Sequence, residues 1–80
     1  MIINDLTPCF EVIIDEETGH VARLIADREG ELFGEPGRVW ITYHRDSSTP
    51  DGITNFIPHR TRKSVMAHIR RVRQTRNSDS

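Results

Sequence analysis

Apolar and polar residues alternate in two short segments near the start of the chain, and this alternation predicts a β-hairpin. The first strand covers residues 10–14 and the second covers residues 21–26, since a period of two residues is typical of strands. The connecting loop ends in Gly19, a residue type that suits a backbone position with positive φ.

The register of this hairpin follows from its apolar faces. A three-residue loop at 17–19 aligns the apolar residues of both strands, whereas a four-residue loop would place Val12 opposite Arg23. A slip of one residue moves every side chain of a strand to the other face of the sheet, so we expect the three-residue loop. The expected cross-strand pairs are Ile14 with Ala22, Val12 with Leu24 and Phe10 with Ala26.

Two further strands and one helix follow the hairpin. Residues 27–37 form a glycine-rich connector, residues 39–44 alternate as a third strand, and residues 53–57 form a short fourth strand. A C-terminal helix is predicted over residues 62–76, with Thr61 as its N-cap.

The helix carries an apolar stripe of Val65, Ile69 and Val72 at helical spacing. Together these elements predict one α+β domain over residues 1–76: a four-stranded antiparallel meander with one C-terminal helix packed on it (ββββα). Residues 77–80 are predicted to form a disordered tail. The expected core consists of Phe10, Val12, Ile14, Leu24, Ile41, Val65, Ile69 and Val72.

Composition changes this picture little. The chain has 80 residues and a single cysteine, Cys9, so we expect a thin core and no internal disulfide. The N-terminus lacks the basic and apolar regions of a signal peptide, and no apolar run is long enough to span a membrane. We therefore expect a cytoplasmic protein that does not bind membranes.

The residues that could carry chemistry form no catalytic or metal-binding motif. Cys9 has no base or orienting group at a defined spacing, and the four histidines do not follow the spacing of zinc sites. Neither a dinucleotide-binding nor a P-loop glycine pattern occurs. We therefore expect a binding protein rather than an enzyme, with no catalytic residues, no metal and no cofactor.

Charge is divided sharply along the chain. Residues 1–37 carry nine acidic and two basic side chains, whereas residues 38–80 carry nine basic and three acidic ones, so the net charge of −1 conceals a strong asymmetry. Such asymmetry favours a charged partner. Residues 60–76 contain no acid at all. The candidate nucleic-acid-binding residues are Arg60, Arg62, Lys63, Arg70, Arg71 and Arg73.

Two of these cations lie where a helix disfavours them. Arg62 and Lys63 fall in the first turn, where a positive charge costs about 0.3–1 kcal/mol. An acidic partner would offset that cost, so the helix favours docking on nucleic acid or on a nucleoprotein. Pairing with acids of the same chain, such as Glu11 or Asp15, stays open as an internal explanation.

A second hypothesis places the function on the acidic part of the chain. In this case the protein is a small interaction factor that binds a basic protein surface. A homodimer is a further partner that the composition allows. The acidic candidates are Asp15, Glu16, Glu17, Glu29 and Glu31.

Two resemblances accompany these hypotheses. Residues 56–65, FIPHRTRKSV, resemble the strand–turn–helix joint of integrase arm-type DNA-binding domains, which implies a small sheet, one C-terminal helix and DNA as the partner. The acidic first hairpin and the fourth strand depart from that pattern. The size, the ββββα order and the segregated charge are also similar to those of small phage-encoded inhibitors, including anti-CRISPR proteins. That similarity implies a factor of a phage or mobile element.

Overall fold

The computed structural model describes residues 3–4 and 7–78, with side chains up to residue 75. The elements are β1 (Cys9–Asp15), β2 (His20–Asp27), β3 (Gly37–His44), β4 (Ser48–Thr49), β5 (Gly52–Ile53), β6 (Ile57–His59) and α1 (Arg62–Ser78). The main sheet has the strand order β1-β2-β3-β6, and all neighbouring strands are antiparallel. The C-terminal helix α1 accompanies it, which confirms the predicted α+β fold.

The fourth strand of the main sheet lies later in the chain than predicted. β5 pairs with β4 in a separate two-stranded sheet, and β6 pairs with β3. The prediction over 53–57 stops before Pro58 because proline has no N–H to donate. Pro58 lies opposite Ile41 on an outer strand, where that N–H is not needed.

The hairpin register differs from the prediction by one residue. A four-residue turn, residues 16–19, joins β1 to β2, and Val12 lies opposite Arg23. The Gly19 N–H donates to the Asp15 carbonyl at 2.9 Å, and Gly19 has a φ of +77°. The Thr18 hydroxyl donates to the Asp15 carboxylate at 2.6 Å. The predicted three-residue loop and its three cross-strand pairs were therefore wrong.

This register turns the apolar side of β1 away from the helix. Phe10, Val12 and Ile14 are 55%, 41% and 66% exposed, so their assignment to the core was wrong. Glu11 and Asp15 lie on the helix-facing side of β1 instead, because each carboxylate meets an arginine of α1. Ion pairs across the helix–sheet interface thus favour a register that apolar alternation disfavours.

Buried side chains cover both faces of the main sheet. Between the sheet and α1, the cluster consists of Ala22, Trp40, Val65 and Ile69. On the other face, where Ile3 accepts a hydrogen bond from the Ile53 N–H at 2.6 Å, it consists of Ile3, Ile25, Ile41, Tyr43 and Ile53. The sheet is therefore the middle layer of the domain.

The core prediction holds for three residues. Val65 and Ile69 between the helix and the sheet, and Ile41 on the other face of the sheet, are at most 3% exposed, as predicted. Leu24 and Val72 are half-buried and lie at the margin of the core. The apolar stripe of α1 is therefore shorter than its sequence pattern suggests.

The helix begins as predicted. The Thr61 hydroxyl accepts a hydrogen bond from the Ser64 N–H at 3.1 Å, which confirms the N-cap. α1 extends to Ser78 and so includes residues 77 and 78 of the predicted tail, while residues 79–80 lie outside the described residues. Over the part of the chain that the structure describes, no helix has the length and apolarity needed to cross a membrane.

Candidate nucleic-acid interface

The flank of α1 that faces the β1–β2 hairpin carries Arg73, which is bound to acids of that hairpin. Its guanidinium contacts both carboxylate oxygens of Asp15, with Nε 3.3 Å from Oδ2, and lies 3.2 Å from the Glu17 carboxylate. The Arg73 hydrogen bond, followed by that of Thr18, lowers the pKa of Asp15 from 3.8 to about 2, although burial acts in the opposite direction. These residues clamp the end of the helix to the hairpin.

Arg62 makes a similar contact at the start of the same flank. Its Nε lies 3.2 Å from Oε2 of Glu11, and both side chains are largely exposed. The negative charge of Glu11 therefore offsets the cost of placing a cation in the first helical turn. Internal pairing therefore accounts for Arg62 and Arg73.

The outer surface of α1 carries cations without such partners. Lys63, Arg70 and Arg71 are exposed, and none of them forms an ion pair with a described residue. Lys63 and Arg70 are seven residues apart and so lie on the same side of the helix. Arg60, just before the helix, places its guanidinium 4.5 Å above the centre of the Phe33 ring, where it stays exposed.

The acidic candidates do not form one continuous surface. Asp15, Glu16 and Glu17 lie at the β1–β2 turn, whereas Glu29 and Glu31 lie in the β2–β3 loop at the other end of β2. An eight-residue strand separates the two groups by roughly 25 Å. Asp15 is also buried, and Glu17 is paired with Arg73.

All four histidines of the chain lie in one row, which their spacing in the sequence does not indicate. The ring centroids of His20 and His44 are 5.3 Å apart, those of His20 and His68 are 6.0 Å apart, and those of His59 and His68 are 5.3 Å apart. The β2–β3 register assembles the row, because it places His20 opposite His44. In the sequence, this row could be found only from the sheet or helix face that each histidine occupies. Those faces depend on the strand register, which the sequence pattern did not predict correctly for the first hairpin.

Burial and neighbouring charged groups lower the pKa of two histidines of this row, His59 and His68. His59 has its Nδ1 2.9 Å from the Ser64 hydroxyl and its Nε2 3.0 Å from the Thr42 hydroxyl. Burial, and then the neighbouring His68, lowers the pKa of His59. Burial, and then His20 and Arg71, lowers the pKa of His68. Both rings are therefore uncharged near neutral pH.

The row does not make a metal site in the described structure. Among the residues that the structure describes, no three His, Cys, Asp or Glu side chains are placed to hold a metal ion. Both ring nitrogens of His59 already have hydroxyl partners. The expected absence of a metal stays a prediction.

An open cleft of about 330 Å³ lies beside the histidine row. His20, His44 and His68 form part of its wall together with Asn55 and Phe56. Arg71 follows His68 by one helical turn, so the cleft borders the basic side of α1. The site therefore combines exposed cations with a neighbouring cleft of polar and aromatic lining.

Comparisons with protein-family models, with curated proteins and with solved structures find no match. The functional conclusion is consequently drawn from the geometry of this chain.

The Asp15–Arg73 clamp should make the stability of the fold depend on pH. Because the folded-state pKa of Asp15, about 2, lies below the ordinary 3.8, its contribution is complete above about pH 4 and is lost as the pH falls toward about 2. We expect Asp15→Asn to lower the free energy of unfolding by about 1–3 kcal/mol near neutral pH. Urea unfolding should show the difference between variant and wild type shrinking in acid.

The matched control is Glu16→Gln, which removes the same charge from an exposed neighbour in the turn. We expect it to change the free energy of unfolding by less than about 0.5 kcal/mol. An Asp15→Asn effect that is equally large near pH 6 and near pH 2 would show that the clamp does not depend on the carboxylate charge.

Proposed function

We propose that this chain is a non-enzymatic binding module whose helix α1 docks on nucleic acid, free or within a nucleoprotein. The observation that carries the proposal is the exposed group of Lys63, Arg70 and Arg71, which no described acid neutralises. Neighbouring Arg62 and Arg73 are paired with the hairpin and contribute less. The unpaired cations behind the charge asymmetry of the sequence are therefore found mainly on the outer side of α1.

This arrangement suits a phosphate backbone. Lys63 and Arg70 lie about 10 Å apart along the helix axis, a length over which duplex DNA presents several phosphates. Arginine and lysine side chains on a helix surface reach phosphate oxygens without base contacts, so sequence-independent binding is the expected mode. Arg60 extends the basic surface beyond the start of the helix, and Arg71 extends it toward the cleft.

Charge reversal on the outer side of α1 tests this function. Fluorescence anisotropy with labelled duplex DNA, single-stranded DNA and duplex RNA at low salt should detect binding by the wild type to at least one of them. We expect Lys63→Glu combined with Arg70→Glu to weaken that binding by about tenfold or more. The free energy of unfolding should change by less than about 0.5 kcal/mol for each substitution, because both side chains lie away from the apolar stripe.

Arg62→Glu and Arg73→Glu are matched controls, since they make the same charge change on the paired flank of the same helix. We expect them to destabilise the fold more and to weaken binding less than the variants at Lys63 and Arg70. Equal losses of affinity in both sets would assign the binding to net charge rather than to the outer side of α1. Absence of wild-type binding at low salt would overturn the proposal and favour a basic protein as partner of the acidic residues.

A further inference from the structure

The histidine row lies at the contact between α1 and the sheet. The His68 ring of α1 neighbours those of His20 on β2 and His59 on β6, with centroids 6.0 and 5.3 Å apart, and His44 of β3 continues the row beyond His20. On the helix, His68 directly precedes Ile69, which is buried between α1 and the sheet. A positive charge on His59 or His68 would therefore arise at the helix–sheet interface.

We propose that this row makes the docking of α1 on the sheet sensitive to mild acid. The helix stays docked while the row is neutral, and protonation of His59 and His68 weakens the contact. This inference does not rest on nucleic-acid binding, because it concerns the sheet-facing side of α1 and not its outer side.

His59 connects β6 to β3 and to α1 in its neutral form. Its Nε2 lies 3.0 Å from the Thr42 hydroxyl, and its Nδ1 lies 2.9 Å from the Ser64 hydroxyl in the first turn of the helix. Because the Thr42 hydroxyl donates to the Ile57 carbonyl, it accepts from the Nε2–H, and Nδ1 accepts from the Ser64 hydroxyl. A second proton on Nδ1 would remove that acceptor at the point where β6 meets α1.

Burial and positive neighbours both oppose the protonation of His59 and His68. Burial is the first cause that lowers the pKa of each ring below the ordinary 6.5; the second is His68 for His59, and His20 and then Arg71 for His68. Arg60, next to His59 in the chain, lies over an aromatic ring. Neither His59 nor His68 forms an ion pair with a described acid.

The acids beside the row belong to its other two histidines. Asp15 lies opposite His20 in the β1–β2 pairing, and Arg73 binds its carboxylate. Asp46 has a carboxylate oxygen 3.4 Å from Nδ1 of His44, where it balances a positive charge on that ring. The acid-sensitive part of the row is therefore the pair of histidines on β6 and α1.

The free energy of unfolding should decrease in mild acid. Because the folded-state pKa of His59 and His68 lies below 6.5, their contribution to stability is complete above about pH 7.5 and is lost as the pH falls below about 6.5. We expect the equilibrium constant of unfolding to increase by about tenfold between about pH 7.5 and about pH 5.5. The Asp15–Arg73 clamp does not change in this window, since Asp15 titrates at lower pH.

Urea unfolding followed by the emission of Trp40 tests this switch. Trp40 is the only tryptophan in the sequence, is 5% exposed and packs in the cluster between α1 and the sheet, so its emission maximum reports the docking of the helix. His68→Gln removes one titrating ring and the charge that faces His59, and should reduce the change to about threefold or less. His44→Gln is the matched control at the other end of the row and should keep the full change.

An NMR titration of the wild-type imidazoles gives a second readout that does not depend on the folding of a variant. We expect the folded-state pKa of His59 and His68 to lie below 6.5. An equilibrium constant that stays unchanged between about pH 7.5 and about pH 5.5, a change that His68→Gln retains in full, or a folded-state pKa at or above 6.5 for both rings would each overturn the proposal.

Discussion

Replacing Ile69 with alanine should remove about half of the stability of this fold or more. Ile69 is 3% exposed and packs with Val65 and Trp40 between α1 and the sheet. Truncation of a buried isoleucine to alanine costs about 2–5 kcal/mol, and a domain of this size has a total stability of about 5 kcal/mol. The thin core offers few other contacts to compensate, so the urea midpoint of the variant should fall to about half of the wild-type value or lower.

Met66→Ala is the control for this experiment. Met66 lies on α1 as well but is 42% exposed, so we expect a loss below about 1 kcal/mol. Equal losses in the two variants would mean that α1 does not bury the side that carries Ile69. The position of the basic surface would then be wrong as well, because it is defined as the opposite side of the helix.

Replacing Asp27 with alanine should have the next largest effect. Asp27 is fully buried at the end of β2, and its two carboxylate oxygens accept hydrogen bonds from the backbone N–H groups of Glu31 and Leu32 at 3.1 and 2.9 Å. Removal of the carboxylate leaves both donors without these acceptors and frees Leu32, which packs against the core. We expect a loss of about 2–3 kcal/mol in the free energy of unfolding.

Asp51→Ala is a matched control for this change, because Asp51 is exposed in a turn. Asp27→Asn keeps one carbonyl acceptor and should fall between the two. Amide hydrogen exchange gives an independent readout, since protection of the Glu31 and Leu32 N–H groups should decrease in Asp27→Ala. Unchanged protection in that variant would show that the carboxylate does not hold the β2–β3 loop.

Local patterns were sufficient to predict the first three strands and the helix of this fold. The alternation in β1 to β3, the apolar spacing around Val65 and Ile69, and the capping Thr61 each depend on neighbouring residues alone. The expected helix-on-sheet arrangement follows from them, since an amphipathic helix and a sheet with an apolar face bury those surfaces together. The fourth strand was misplaced because an outer strand tolerates Pro58.

The register of the first hairpin required information that alternation does not contain. Apolar alternation favours Val12 and Ile14 as core residues, but the helix-facing side of β1 holds Glu11 and Asp15. These acids pair with Arg62 and Arg73 from the far end of the chain. These ion pairs can be identified only once the helix has been placed on the sheet. The same two contacts favour the observed hairpin register and show that Arg62 and Arg73 are paired within the chain.

The pairing of Arg62 also changes the argument for a nucleic-acid partner. An acid of the same chain accounts for Arg62 in the first turn of the helix, and only Lys63 keeps an unfavourable position without a described partner. The nucleic-acid proposal therefore depends mainly on the outer side of α1, where Arg70 and Arg71 lie, and less on the start of the helix.

The salt dependence of nucleic-acid affinity tests the proposed function most directly. Contact of α1 with phosphates predicts that the logarithm of the binding constant falls linearly with the logarithm of salt concentration. For duplex DNA, Lys63→Gln combined with Arg70→Gln should reduce the steepness of that line by about 1.8, or about 0.9 for each lost contact. Arg62→Gln should leave it nearly unchanged. A wild-type protein that does not bind at low salt, or a slope that the variants at Lys63 and Arg70 do not alter, would contradict docking through this side of the helix.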